Sequence, residues 1–326
     1  MIKVSVIVPV YKVEAFIGRC IRSLMEQTLQ NTEFIIVDDC TPDNSISVAQ
    51  KVIRDYPERK GQIRIIRHDI NKGLPAARNS GLAVATGEYV FHCDSDDFVE
   101  PDMLEQLYQT AREKDADIVW CDWILSFGKN ERYMKQPFYD TPMEALKGML
   151  SGAMKYNVWN KLVRRRLYVD NRILFPAGYG MGEDMTMLCL FACAQKVAYV
   201  SGGYYHYVQL NSGAFSKTYS ESHLKELRYN TDRMLAFLKG KYGDTLDWDM
   251  EFFKLDVKYP FLITDDKRKY ELWKTWYPES NPYVKLNKNV SVRRRLLQMC
   301  AVKKQFWLVY LYYKLVHKFF YGILYR

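Results

Sequence analysis

Short apolar runs alternate with amphipathic segments through the first 125 residues of the chain. The runs predict buried strands, and they cover residues 4–10, 34–39, 63–68, 88–94 and 116–123. Between them, apolar residues spaced three and four positions apart predict helices over residues 14–27, 43–56, 74–85 and 101–114. A strand followed by a helix, repeated in this way, predicts a parallel sheet covered on both faces.

After about residue 220 the alternation stops and longer helical patterns follow, for example over residues 223–241. We therefore expect an α/β domain over residues 1–215 and a helical C-terminal region over residues 216–326. No stretch reaches 18 uninterrupted apolar residues, so we expect no membrane-spanning helix. The short apolar start lacks a small-residue cleavage site, so we expect no secretory signal peptide.

Cysteine usage and charge narrow the class of protein further. Seven cysteines occur without a C-x-x-C pair, and we interpret them as reduced core thiols of a cytoplasmic protein. The net charge of +9 is uneven, because residues 285–326 hold ten Lys and Arg and no acidic residue, which leaves residues 1–284 at −1. The basic character belongs to the C-terminal end and needs an explanation there.

The run FHCDSDDFVE (91–100) places Asp94 at the end of the fourth predicted strand and Asp96 and Asp97 just beyond it. Carboxylates this close repel one another unless a cation lies among them, and hard oxygen ligands suit Mg²⁺ or Mn²⁺. An EF-hand loop is excluded because Phe98 and Val99 stand where that loop needs an oxygen ligand and a glycine. A phosphatase with an aspartyl nucleophile and a solvated turn that caps the next helix are the alternatives.

Two other predicted strands end at candidate nucleotide contacts. Tyr11 follows the first predicted strand and offers a flat ring for stacking a base, and Asp39 ends the second and can accept a base N–H. A surface aromatic and a helix-capping aspartate are the alternatives. Neither segment contains a G-x-G-x-x-G or G-x-x-x-x-G-K-[ST] phosphate loop. Because ligands bind beyond the carboxyl ends of parallel strands, we expect Asp38, Asp39 and Asp94 to share one edge.

Two further segments carry charged candidates. In NKGLPAARNSG (71–81), Gly73 precedes a predicted helix whose N-terminus can face an anion, and Arg78 lies one turn in. In GYGMGEDMTM (178–187), a glycine-rich loop brings Glu183 and Asp184 to the start of an apolar helix, where simple N-capping is the alternative. Lys161 lies upstream in VWNKLVRRR (158–166).

Taken in order, VSVIVPVYKVE, VDDCTPDNS, NKGLPAARNSG, DSDD, WNKL and the Glu-Asp pair closely resemble family 2 glycosyltransferases over roughly residues 3–215. The resemblance implies the GT-A fold, a nucleotide-diphosphate-sugar donor, a divalent metal (Mn²⁺ or Mg²⁺) and inversion of the anomeric centre. UDP is the expected nucleotide because it is common in the family. The implied acceptor is a saccharide or lipid-linked sugar in cell-surface polysaccharide synthesis.

The resemblance also implies a role for each matching residue. Pro9, Tyr11 and Asp39 match base-binding positions, and Arg78 matches a nucleotide-site arginine. Asp94 matches the acid near the ribose, with Ser95 beside it, and Asp96 matches the metal ligand, with Asp97 as the adjacent alternative. Asp184 matches the catalytic base, which forms a pair with Glu183. Lys161 and His206 are additional candidates.

The chain departs from the family pattern at two places. Val208 stands where members often carry an arginine in a Tyr-Tyr-Tyr-Arg run, which puts one diphosphate contact in doubt. His206 in the same run is a candidate phosphate or metal contact, with a structural role as the alternative. The Gln-x-x-Arg-Trp motif of polymerising members is absent, so we expect one sugar to be added per acceptor.

The C-terminal segment 303–326 is amphipathic, with Phe306, Val309, Tyr313, Val316, Phe320 and Ile323 on one predicted face. Together with the charge of residues 285–326, this pattern indicates a helix lying on an anionic membrane surface, at the cytoplasmic face of the inner membrane. Packing of the helix onto the rest of the protein is the alternative. We expect no nucleic-acid partner, because no recognised binding module accompanies the charge.

Two other functions remain open at this point. One is a nucleotidyltransferase on a related α/β sheet, although such an enzyme normally carries a glycine-rich loop after its first strand. The other is a nucleotide-sugar-binding protein that has lost activity, against which the presence of both Asp96 and Asp184 argues.

Overall fold

The computed structural model describes residues 1–128, 130–211 and 220–320. Nine strands of this part of the chain form one mixed sheet in the order β3-β2-β1-β4-β8-β6-β9-β5, with β7 paired to β6. The strands are β1 Val4–Val10, β2 Thr32–Asp38, β3 Ile63–Arg67, β4 Tyr89–His92, β5 Phe98–Val99, β6 Ile118–Ser126, β7 Glu131–Met134, β8 Lys161–Arg164 and β9 Val197–Val208.

The first four predicted strands form a parallel set, as expected. Strand β1 pairs in parallel with both β2 and β4, and β2 pairs in parallel with β3. Every residue of β1 and β4 is buried, which explains why these strands appear in the sequence as mainly apolar runs.

The fifth predicted strand does not continue the parallel set. Strand β8 lies between β4 and β6 and runs antiparallel to both. The sheet is therefore mixed beyond β4, with β6 parallel to β9 and antiparallel to β7. The sequence pattern missed this change because β8 has only four residues, KLVR, and its charged ends leave no apolar run to mark a buried strand.

The helices in chain order are α1 Ile17–Met25, α2 Ser45–Arg54, α3 Leu74–Val84, α4 Met103–Glu113, α5 Pro142–Leu150, α6 Arg165–Asp170, α7 Thr186–Cys193, α8 Glu221–Tyr242, α9 Asp247–Lys258, α10 Arg268–Thr275, α11 Val292–Val302 and α12 Phe306–Tyr312. The first four confirm predicted helices. Helix α3 begins after Gly73, whose φ of 84° suits glycine, and has a proline in its first turn.

The chain forms two compact units. The first comprises residues 1–145 and 156–234, and the second comprises residues 146–155 and 235–326. The predicted boundary at residue 215 falls within residues 212–219, outside the described residues. The expected α/β class with a helical C-terminal region is confirmed. The core of the first unit lies where apolar residues of α1 and α4 pack against the sheet. Among these core residues, at most 1% of the surface is exposed in Ile21, Leu24, Phe34, Phe91 and Leu107.

The second unit shows that helix α12 has two apolar faces. Val309 is fully buried, and the ring of Phe306 stacks on Tyr270 with centroids 5.2 Å apart. This corrects the sequence interpretation, which assigned Phe306 and Val309 to a lipid-facing surface; their side chains are needed inside the unit. The predicted contribution of Phe320 and Ile323 lies outside the residues whose side chains are described.

The other face of the same helix is at the surface. Trp307 and Leu311 of α12, and Leu315 in the π-helical segment Tyr313–Phe320 that follows it, are spaced four residues apart and are 67%, 46% and 51% exposed. None of the helices in the described ranges is long and apolar enough to cross a bilayer.

Candidate active site

The carboxyl ends of three parallel strands bring the predicted aspartates to one edge of the sheet. Asp38 is the last residue of β2 and Asp39 follows it, while Asp94 comes two residues after β4. Because β1 pairs in parallel with both strands, these ends point in one direction. At the same edge Pro9 is buried within β1, and Tyr11, just past β1, is 40% exposed.

Asp39 is a buried acceptor whose bonds leave room for one more donor. Its Oδ1 accepts hydrogen bonds from the backbone N–H of Lys72 at 2.7 Å and from Nδ1 of His68 at 2.7 Å. Its Oδ2 accepts from the N–H of Gly73 at 2.8 Å. A carboxylate offers about four lone-pair sites, so Oδ2 can accept one further N–H, as base recognition requires.

His68 was missed by the sequence reasoning. Its Nε2 lies 2.8 Å from Oγ of Ser80, so Asp39, His68 and Ser80 form one hydrogen-bonded chain. This chain fixes the orientation of the Asp39 carboxylate. The available signal was the position of His68 directly after the third strand, the same position in which Asp39 follows the second.

Arg78 lies buried between two groups of acids. Its Nη2 is 3.0 Å from Oδ1 of Asp94 and 3.5 Å from Oε1 of Glu183, and its side chain is 1% exposed. Burial alone would lower the pKa of Arg78, but Asp94, Glu183 and Asp184 raise it overall. The guanidinium therefore stays charged at this position.

The three aspartates of the DSDD run point to different partners. Asp97 is fully buried and accepts from the hydroxyl of Tyr205 and the N–H of Val208, both at 2.7 Å. Burial, together with the charges of Asp96 and Asp94, holds the pKa of Asp97 well above its usual value. Asp96 is partly exposed and accepts from Nδ2 of Asn211 at 2.8 Å.

This divergence bears on which aspartate can hold a metal. The carboxyl group of Asp97 is occupied by Tyr205 and Val208 inside the protein, while Asp94 and Asp96 are partly exposed. Ser95 between them is 6% exposed. The described residues contain no cluster of three or more Asp, Glu, His or Cys suited to a metal. One or two carboxylates completed by phosphate oxygens are what Mg²⁺ sites commonly use, so the Asp94–Asp96 pair fits Mg²⁺ or Mn²⁺ bound together with a diphosphate.

Glu183 and Asp184 lie on a tight turn between the glycine-rich loop and α7. Gly182, which precedes them, has a φ of 86°, and a Cβ there would lie 3.1 Å from Leu227. Burial is the main cause that raises the pKa of Asp184 to about 6. Burial, together with the charge of the neighbouring Asp184, raises the pKa of Glu183 to about 8. The Oδ1 atom of Asp184 is buried and has no hydrogen-bond partner among the described residues.

Lys161 is a buried cation near Asp184. Its Nζ donates to the carbonyl oxygen of Asn157 at 2.7 Å and to Oδ1 of Asn160 at 2.8 Å. Burial lowers the pKa of Lys161 to about 7, against the opposing effect of the Asp184 charge. The Lys161 charge in turn lowers the pKa of Asp184, so Lys161 favours the carboxylate form of that residue.

His206 makes contacts away from the DSDD carboxylates. Its Nε2 lies 2.6 Å from Oε1 of Glu100, and its ring stacks on Phe98 with centroids 4.1 Å apart. These contacts link β9 to β5 and match the structural alternative for His206. The neighbouring Tyr205 was not among the predicted site residues, yet its hydroxyl accepts from the N–H of Asp94 and donates to Asp97.

Comparison with known proteins shows a similarity to one protein family. The model of the family described as "Glycosyl transferase family 2" matches residues 5–180. The chain is 34% identical over 212 residues to the putative glycosyltransferase EpsH of Bacillus subtilis, covering 63% of this chain and 60% of that relative. It therefore spans about three-fifths of the length of that relative.

Two further similarities extend over more of the chain. It is 31% identical to the cholesterol galactosyltransferase of Borreliella burgdorferi, covering 83% of this chain and 80% of the relative. The crystal structure of Staphylococcus aureus TarS 1–349 in complex with UDP-GlcNAc superposes with a TM-score of 0.73 at 20% identity, covering 96% of this chain and 92% of that one. The shared architecture confirms the expected GT-A fold.

Proposed function

Because the chain belongs to glycosyltransferase family 2, we propose that it transfers one sugar from a UDP-sugar donor to a saccharide or lipid-linked acceptor, with inversion at the anomeric carbon and with a divalent metal. The observation that carries the proposal is the joining of two acidic groups by Arg78, which contacts Asp94 after β4 and Glu183 before α7. One group suits a nucleotide diphosphate and its metal, and the other suits a general base.

The donor half of the site is formed by the edge of the parallel strands. In the proposed complex the base stacks on Tyr11 beside Pro9 and donates an N–H to Oδ2 of Asp39, which the geometry leaves able to accept one more bond. Asp94 and Ser95 lie near the ribose, and Arg78 balances negative charge. UDP is proposed as the nucleotide because the structural neighbour TarS is described with UDP-GlcNAc.

The metal would be held by Asp96, with Asp94 beside it. When bound, a divalent cation neutralises charge that develops on the leaving diphosphate. Asp97 is not proposed as a ligand, because its oxygens accept bonds from Tyr205 and Val208 in the interior.

The base half of the site moves one proton. The acceptor hydroxyl oxygen forms a bond to the anomeric carbon as the bond from that carbon to the diphosphate oxygen breaks. The hydroxyl proton passes to the carboxylate of Asp184, and UDP leaves with the electron pair of the broken bond. An Asp184 pKa near 6 keeps this base ionised at neutral pH, while burial and the Asp184 charge hold the pKa of Glu183 above its usual value.

The acceptor class is proposed from chemistry and from relatives. One relative carries the name cholesterol galactosyltransferase, and another is called poly(ribitol-phosphate) beta-N-acetylglucosaminyltransferase TarS, so the family includes lipid and polymer acceptors. We place this chain peripherally on an anionic membrane surface through residues 285–326. The exposed Trp307, Leu311 and Leu315 of the second unit, close in sequence to exposed Lys303 and Lys304, support that placement.

A screen of nucleotide-sugars with and without Mn²⁺ tests the donor half. Thermal unfolding should shift upward with UDP-sugars and Mn²⁺ together, because binding to the folded state stabilises it. Release of UDP from the matching donor, with water as the acceptor, tests transfer. A protein that binds UDP-sugars but releases no UDP with any of them, with or without acceptor, would instead be an inactive binding protein. Release of pyrophosphate from a nucleoside triphosphate would indicate a nucleotidyltransferase.

A further inference from the structure

Two tyrosine rings stack beside the turn that carries Glu183 and Asp184. The ring centroids of Tyr179 and Tyr229 lie 3.7 Å apart, and the ring planes differ by 12°. Tyr179 is 37% exposed and Tyr229 is 43% exposed. Each ring covers one face of the other, and both residues keep part of their surface exposed to solvent.

Helix α8 holds the loop that carries Tyr179. The buried Nδ2 of Asn230 donates to the carbonyl oxygens of Tyr179 and Met181, both at 2.9 Å. The N–H of Met181 donates to Oε2 of Glu226 at 2.9 Å. The backbone around Tyr179 is therefore fixed to the same helix that supplies Tyr229, and the stacked pair is a rigid surface rather than two independent side chains.

The same helix also supports the segments on either side of the catalytic turn. Nη2 of Arg233 donates to Oγ1 of Thr186 at 3.0 Å, and the hydroxyl of Thr231 contacts Sδ of Met185 at 3.7 Å. The Tyr179–Tyr229 pair and the Asp184 turn are thus tied to consecutive turns of α8, which sets the position of one relative to the other.

An exposed and preorganised aromatic surface suits a sugar ring. Tyrosine offers a large, rigid contact area at low entropic cost, with a hydroxyl that can hydrogen-bond at the rim. The C–H face of a pyranose matches an aromatic face, while its equatorial hydroxyls point outward to water and to polar neighbours. Ligand sites commonly combine such aromatic surfaces with a few placed polar groups.

The position of the Tyr179–Tyr229 pair near Asp184 indicates that the pair contacts the acceptor sugar rather than the donor. A general base must reach the acceptor hydroxyl within hydrogen-bond distance, so the acceptor lies against the element that carries Asp184. Tyr179 is five residues before Asp184, which limits the separation of their Cα atoms to about 17 Å. Turns from Gly180 to Glu183 and from Gly182 to Met185 shorten it further. A short oligosaccharide spans this distance.

We propose that Tyr179 and Tyr229 form an acceptor subsite that stacks a pyranose ring of the acceptor, within a few sugar residues of the hydroxyl that attacks. The inference rests on the proposed function, since it takes Asp184 as the base. It adds a substrate class and two residues to the site, and it predicts that the acceptor is recognised as an oligosaccharide and not only by its reacting sugar.

Saturation-transfer NMR on the full chain, with UDP and the diamagnetic Mg²⁺ present, tests the subsite directly. The probes are cellotriose, maltotriose, chitotriose and β-1,6-galactotriose. At least one should bind, and Tyr179→Ala and Tyr229→Ala should each weaken it about fivefold to tenfold, as loss of an aromatic contact does. Tyr179→Trp should keep binding because it preserves the aromatic face.

Phe138→Ala is the matched control, because Phe138 is a 60% exposed aromatic of the same unit outside the loop and helix; it should bind like the wild type. Affinity for UDP in each variant reports whether the donor site is folded. Failure of every probe to bind the wild type, or binding that survives both alanine variants, overturns the subsite. Failure of the wild type to release UDP from any donor overturns the proposed transfer, while the binding result still decides the subsite.

Discussion

Nη2 of Arg78 lies 3.0 Å from Oδ1 of Asp94, inside the protein, where the guanidinium is 1% exposed. The same nitrogen is 3.5 Å from Glu183, so one cation compensates acids from two separate segments of the chain. A buried charge without its partner is costly, which makes this contact important both for stability and for the assembly of the site.

Replacing Arg78 with Met should therefore destabilise the fold and weaken UDP binding. Removal of one partner of a buried ion pair typically costs about 3–5 kcal/mol in the free energy of unfolding. Arg228→Met is the matched control, because Arg228 and Asp232 pair at 2.8 Å with side chains that are 43% and 51% exposed; an exposed pair contributes about 1 kcal/mol or less. Chemical denaturation of both variants measures the difference, and equal losses would contradict the role assigned to Arg78.

Replacing Asp184 with Asn should remove the base and leave donor binding intact. General-base catalysis typically contributes about 10²–10⁴-fold, so kcat should fall by that factor in a transfer assay. Affinity for UDP, measured by calorimetry, should stay close to that of the wild type. An Asp184→Asn protein that loses UDP affinity to the same extent as kcat would refute the base role.

The two adjacent aspartates of the DSDD run should behave differently. Asp96→Asn should abolish the gain in UDP affinity that Mn²⁺ provides, because Asp96 is the proposed metal ligand. Asp97→Asn should keep that gain, because the Asp97 carboxyl bonds to Tyr205 and Val208 in the interior. UDP titrations with and without Mn²⁺ distinguish the two, and a reversed result would make Asp97 the ligand.

The pH dependence of kcat should show an acid limb near pH 6. Asp184 works as a base only when deprotonated, and burial raises its pKa to about 6, so activity should fall as the pH drops through that value. The charge of Lys161 lowers the Asp184 pKa, and Lys161→Met removes that charge. The acid limb of Lys161→Met should therefore move to higher pH; a limb that stays in place or moves down would show that Lys161 does not act on Asp184.

The exposed apolar side chains of α12 and of the π-helical segment that follows it should bind the protein to anionic vesicles. A triple variant should float less with vesicles of phosphatidylglycerol and phosphatidylethanolamine when it carries Trp307→Ser, Leu311→Ser and Leu315→Ser. The reason is that it loses the exposed apolar side chains that would contact the lipid. Trp248→Ser is the control, since Trp248 is 59% exposed elsewhere in the same unit. Flotation should also weaken with salt, because each Lys or Arg near the surface contributes about 1 kcal/mol. A wild-type protein that ignores these vesicles would contradict the membrane placement.

Several features of the site follow from local sequence. The parallel strands β1, β2 and β4 are almost entirely buried, so their central residues are mainly apolar, and polar residues mark where each strand ends. Asp39 and Asp94 could be placed at a common edge for this reason. Glycines with positive φ before α3 and before the Glu183 turn are likewise local signals, because few other residues adopt that conformation.

Other features depended on contacts between segments distant in sequence. The sequence alone determined the parallel strands, the edge where the acids meet and the family to which the chain belongs, because each rests on short-range pattern and motif. Only the tertiary structure decided that Asp97 turns inward to Tyr205, that His68 holds Asp39, and that β8 enters the sheet antiparallel. It also showed that the apolar side chains of α12 divide between a buried face and an exposed one. The physical reason is that burial and pKa are set by neighbours brought together on folding, and a carboxylate's neighbours in space are not its neighbours along the chain.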